Sequence, residues 1–120
     1  MTGEVLNPVD IEQAIRGIAN RIAAGVKVCS DRYEAFLTAD RDYDRAFAGA
    51  YLAHDGAAHE RKYAAELATH KQRETRDVAD AAYRYADRQH RALQDELRAY
   101  QSVGASIRQM YAVAGRGEGA

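Results

Sequence analysis

The chain has 120 residues, 47% hydrophobic and 29% charged, which fits one modest core and excludes a disordered tail. Its formal net charge of −1 leaves no bulk electrostatic pull toward nucleic acid or anionic lipid. With 25 alanines, one proline and only 16 Val, Ile or Thr residues, the composition predicts an all-α fold and weighs against an enzyme built on strands.

Residues 1–7 read as a short lead-in. Met1 to Leu6 has neither the basic region nor the apolar core of a secretion signal. No apolar run approaches the roughly 20 residues of a membrane span, so no membrane partner is expected. The single cysteine, Cys29, cannot form an internal disulfide, and a reducing cytoplasmic location follows as an expectation. Cys29 falls on an apolar spacing and reads as a small buried hydrophobe.

Asn7-Pro8 predicts the first helix start. Asn can accept from orphan N–H groups, and Pro fits a first turn that needs no donor. Ile11, Ile15, Ile18 and Ile22 then step by 4, 3 and 4, and the line runs on through Val26, Cys29, Tyr33, Phe36, Asp40, Tyr43, Phe47 and Tyr51. A double step of four between Ile22 and Cys29 is a stutter, and it falls at Gly25. Two outcomes stay open: one bent helix to about residue 53, or helices over 8–24 and 31–53 with a joint between them.

His54-Asp55-Gly56 predicts a turn. Helical spacing resumes over 58–70, but residues 69–77 (THKQRETRD) hold no apolar side chain. That stretch is either a fully solvated face or an interruption before a last helix over 76–114. In the last helix the stripe is read through Val78, Ala82, Tyr85 or Ala86, Gln89, Leu93, Leu97, Tyr100, Gly104, Ile107, Tyr111 and Ala114. From Leu93 on it steps 4, 3, 4, 3, 4, 3, a sustained coiled-coil seam. Gly115 is expected to end it, leaving 115–120 as a flexible Gly-rich tail on a single helical domain spanning 1–114. The architecture expected is an elongated helical hairpin with a short N-terminal helix. Narrow stripes make a thin core, so completion by homo-oligomerisation is expected, through Leu93, Leu97, Tyr100, Ile107 and Tyr111.

No constellation supports catalysis. Asp40, Asp42 and Asp44 open like a calcium loop, but Arg45 and Tyr51 stand where the loop needs Gly and Glu. His59-Glu60 lacks the second histidine of a zinc-protease helix. There is no glycine-rich phosphate loop and no nucleophile elbow, so neither an enzyme nor a cofactor is expected.

The charges are uneven. Residues 1–60 carry 6 basic and 10 acidic side chains, whereas 61–120 carry 11 and 8. Lys71, Arg73 and Arg76 cluster in the stretch without an apolar face, and Arg84, Arg88 and Arg91 extend the positive side. Tyr83 lies off the apolar line beside them and reads as a surface ring able to stack on a base. These seven residues make a candidate single-stranded nucleic-acid surface. Asp80, Asp87 and Asp95 interleave with the arginines, and ion pairs on a solvated face are the plainer reading.

The Tyr-rich DRYEAFLTADRDYDRAF and the long AAYRYADRQHRALQDELRAYQSVGASIRQMY, with Ser106, Ile107, Arg108 and Tyr111 near its end, carry a resemblance. Over residues 31–111 the chain resembles small helical recombination and replication accessory proteins of tailed phages, of the UvsY-like mediator type. That resemblance implies a ring- or bundle-forming oligomer that binds single-stranded DNA and helps load a recombinase. It carries over no individual site. The alternative is a helical interaction module, an assembly factor or an inhibitor of a host protein, without DNA binding.

Overall fold

The computed structural model describes residues 7–118, with side chains through residue 115. The fold is all-α: α1 spans Pro8–Ala53, α2 Ala58–Ala68 and α3 His70–Glu118. No strand occurs among the described residues, and no helix there is long and apolar enough to cross a membrane.

The N-terminal cap forms as its residues predict. Asp10 N–H donates to Asn7 Oδ1 at 3.0 Å, satisfying one of the donors that a helix start leaves open. The two outcomes left open at Gly25 resolve to one helix, because α1 runs unbroken over 46 residues. The cost of glycine in a helix interior, about 1 kcal/mol against alanine, is offset there by packing described below. The turn at His54-Asp55-Gly56 is present, with Gly56 at φ +140°, a conformation side chains other than glycine rarely adopt. Arg61 Nε donates to Gly56 O at 3.0 Å and ties the turn to α2.

Residues 70–75 of the apolar-free stretch are exposed helix, and the interruption is confined to Thr69. Thr69 departs from helical geometry with φ −111° and ψ 18°, yet its N–H still donates to Ala65 O and its carbonyl still accepts from Arg73 N. Its hydroxyl also donates to Ala65 O at 2.7 Å. A threonine hydroxyl competing for the i−4 carbonyl bends helices. Residues 70–75, outside the last helix expected from sequence, therefore belong to the first turns of α3.

At the other end α3 continues through Gly115 to Glu118, so the expected tail is helical over 115–118, and residues 119–120 lie outside the described residues. Glycine ends a helix by turning left-handed, and among the described residues only Gly56 has positive φ.

The chain falls into two compact units, Met1–Val26 with Gln89–Ala120, and Lys27–Arg88. Long paired helices make only local contacts, so contacts gather in successive stretches. In the first unit α1 and α3 pair antiparallel: Gly104 lies against Ile11, Arg21 Nη2 is 3.9 Å from Glu96 Oε1, and Gly25 faces His90. Ile11 and Ile18, each 2% exposed, and Ile107 are buried there. In the second unit the same two helices pair antiparallel through Tyr33 and Tyr83, whose ring centroids are 5.0 Å apart. Arg32 Nη1 donates to Ala82 O at 3.2 Å beside them. Ala39, Ala65, Thr69 and Ala86 are the buried residues of that unit.

Candidate interaction surface

Along α3 the inward residues are those of the apolar reading from Leu93 to Ile107, and they depart from it upstream. Arg76, Ala79, Tyr83, Ala86, His90, Leu93, Leu97, Tyr100, Gly104 and Ile107 are all half-buried or buried, and they step 3, 4, 3, 4, 3, 4, 3, 4, 3. This is an unbroken heptad seam. It passes through His90 and Ala86, while Gln89 and Tyr85 are exposed. On α1 the inward line likewise takes Ile18, Ile22, Gly25 and Cys29, leaving Val26 exposed. The stutter read at Gly25 is absent: glycine itself holds the register position.

This register relocates two of the expected nucleic-acid contacts. Tyr83, expected as a surface ring, is half-buried against Tyr33. Arg76 lies with its guanidinium carbon 4.5 Å from the centroid of the Tyr43 ring, within 3.9 Å of Asp40 Oδ1 and 3.2 Å of Asp77 Oδ1. A guanidinium over a ring face and near two carboxylates already has partners within the chain. Arg84 Nε pairs with Asp80 Oδ1 at 3.0 Å, one turn back, and Arg91 is also engaged within the chain. Lys71, Arg73 and Arg88 are exposed, and no ion pair holds any of them among the described residues.

The expected oligomer seam divides too. Leu93, Leu97 and Tyr100 are half-buried and Ile107 is buried, on the line that packs against α1 within the chain. Only Tyr111 is open, at 58% exposure.

A different line on α3 is left without cover in the second unit. Glu74, Val78, Ala81, Tyr85 and Arg88 step 4, 3, 4, 3, and all are exposed, Val78 to 64% and Tyr85 to 57%. At about 100° per residue this line lies nearly opposite the inward seam. The apolar spacing puts Val78 on the inward stripe and leaves Tyr85 and Ala86 as alternatives, whereas the structure exposes Val78 and Tyr85 and buries Ala86. Elsewhere Leu52, Tyr63 and Leu67 are exposed around the turn and α2, Leu67 to 82%.

Cys29 is half-buried and unpaired. Among the described residues no three His, Cys, Asp or Glu side chains gather as a metal-binding group. No family model matches the chain, and no curated protein or solved structure matches it either.

Proposed function

We infer that this chain is a helical protein-interaction module that works by assembling with other copies of itself. The carrying observation is the imbalance of its apolar residues: six hydrophobic residues are buried, whereas thirteen large hydrophobic ones are exposed among those described. Scattered exposed apolar residues are normal on a surface. Here, beside a core filled largely by half-buried residues, they recur on α3 at the spacing that a partner helix fills. The test is a mass measurement by light scattering across protein concentration. A mass at a multiple of 13.3 kDa supports the reading, and a monomer at every concentration refutes it.

A second reading has its own support. Lys71, Arg73 and Arg88 are exposed cations without an in-chain carboxylate partner, and the residue pattern resembles phage recombination mediators. On this reading the assembly binds single-stranded DNA and a recombinase or replication protein in the cytoplasm. Repeating the mass measurement with an oligonucleotide present separates the two readings. The interaction module is preferred because four of the seven residues proposed to touch DNA are held within the chain.

A further inference from the structure

The exposed line Glu74, Val78, Ala81, Tyr85 and Arg88 has a charge order that selects its partner. Its N-terminal end carries Glu74 on the line, with Asp77 and Lys71 at equal angles to either side. Its C-terminal end is basic, with Arg88 on the line and Arg84 beside it. The middle is apolar and small: Val78, Ala81 and Tyr85. Lys71 and Arg73 sit off the line on either flank. Two such lines laid parallel and in register set Glu74 against Glu74 and Arg88 against Arg88. Laid antiparallel about Ala81, they bring Glu74 of each beside Arg88 of the other.

We propose that this face of α3 is the self-association surface, and that its occupant is the same face of a second copy packed antiparallel about Ala81. The proposal rests on the self-assembly reading above and names its surface. The sequence positions suit the geometry. Glu74 and Arg88 are each seven residues from Ala81, so a twofold axis at Ala81 relates one to the other and forms two equivalent ion pairs. Alanine at the axis lets the two backbones approach closely. Val78 of one copy then lies beside Tyr85 of the other, removing from water two side chains that are more than half exposed in the single chain. Glu74 has only a weak competitor within its own chain, His70 Nε2 at 4.0 Å, and Arg88 has none among the described residues.

The decisive experiment is a charge swap read by sedimentation of the full chain. Arg88→Glu alone, or Glu74→Arg alone, sets like charges against each other at both symmetric positions and weakens the dimer by about tenfold. The double variant Glu74→Arg with Arg88→Glu restores opposite pairing and with it the original dimer constant. All three keep good helix formers at exposed sites, and circular dichroism checks that the helix content is unchanged. In a Cys29→Ser background, Ala81→Cys should cross-link to a covalent dimer under mild oxidation, because the axis places both copies of residue 81 together. An oligomer that ignores the single swaps, or a double variant no better than the singles, overturns the proposed face while leaving self-assembly standing. A chain that is monomeric at every concentration overturns both. Loss of oligonucleotide binding without any change of mass would place the same residues on a nucleic-acid surface instead.

Discussion

Gly25 of α1 faces the imidazole of His90 on α3 so closely that a Cβ built on the glycine would lie 3.1 Å from His90 Nδ1. That nitrogen is buried and has no hydrogen-bond partner, while Nε2 lies 3.4 Å from Gln94 Nε2. The two residues occupy facing seam positions, and each explains the other: the ring fills the space that glycine leaves.

Gly25→Ala therefore combines opposing effects. Alanine gains about 1 kcal/mol of helix propensity, and the added methyl crowds the ring by a few tenths of an ångström. In a His90→Ala background the crowding is gone and the full gain of about 1 kcal/mol should appear. In the native background it should be cancelled or reversed. Chemical denaturation of the four members of this cycle measures the coupling. Equal stabilisation by Gly25→Ala in both backgrounds would show that the ring does not constrain the site.

How far the fold was legible follows from the same pair. The turn at Gly56, the cap at Asn7 and the predominance of helix come from local chemistry, and all three are visible in the residues themselves. The register is visible too from Leu93 to Ile107, but upstream of Leu93 the spacing loses it, because inward positions there are not apolar. At Gly25 and His90 the inward positions hold a glycine and an imidazole, so the apolar trace slipped to Val26 and Gln89. The same slip places Val78 inward and Tyr83 outward, which the structure reverses, and it leaves Tyr85 and Ala86 as alternatives, of which Ala86 is buried. Arg76 misled for a related reason: its long side chain packs over Tyr43 while a sequence shows only its charge. The break between α2 and α3 lies in the backbone angles of the single residue Thr69, which composition does not announce.

Arg76 should behave as a structural residue. Arg76→Ala removes its place over Tyr43 and its approach to Asp40, with an expected loss of about 1–2 kcal/mol by thermal or chemical unfolding. Lysine should recover little, since it lacks the planar group that covers a ring. A loss no larger than that of Lys71→Ala, which has no comparable contacts, would argue against this role.

Thr69 is 2% exposed, and its hydroxyl has a partner only in Ala65 O, which also accepts the Thr69 N–H. Thr69→Val keeps the volume and strands no buried donor, so it should cost less than about 1 kcal/mol. Thr69→Asp buries an unpaired carboxylate and should unfold the region around α2 at neutral pH, with recovery as the pH falls and the group is protonated. Amide exchange of residues near Ala65 would read both effects. Equal protection in the two variants would contradict the account.

Lys27 donates to Asp31 Oδ2 at 2.8 Å, and this hydrogen bond, with the carboxylate's charge, holds the ammonium pKa above its usual 10.5. A raised pKa means that the folded chain keeps the proton longer than the unfolded one. The associated stability is complete below the unfolded value and disappears as pH rises through the folded one. Both side chains are exposed, so the effect on unfolding should be small. The direct check is an NMR titration of the Lys27 side chain: Asp31→Asn should lower its midpoint, and an unchanged midpoint would dismiss the pairing.

Truncations in the core should separate sharply from truncations on the surface. Ile18 is 2% exposed and lies on the inward line of α1, whereas Leu67 is 82% exposed on α2. Ile18→Ala removes buried methyl groups and leaves a cavity that two paired helices can only partly close, an expected cost of about 2–5 kcal/mol. Only six hydrophobic residues are buried among those described, so that one loss is a large share of the stability available to a chain of this size. Leu67→Ala should change stability by less than about 0.5 kcal/mol, because the leucine has little burial to lose. If the Leu67 face instead covers a partner, its truncation should lower the assembly's mass while leaving the helix signal of the chain intact. Measuring unfolding and mass on the same two variants therefore distinguishes a residue that holds the chain together from one that holds a neighbour. A cost at Leu67 equal to that at Ile18, with no change of mass, would mean that α2 packs more deeply than its exposure indicates.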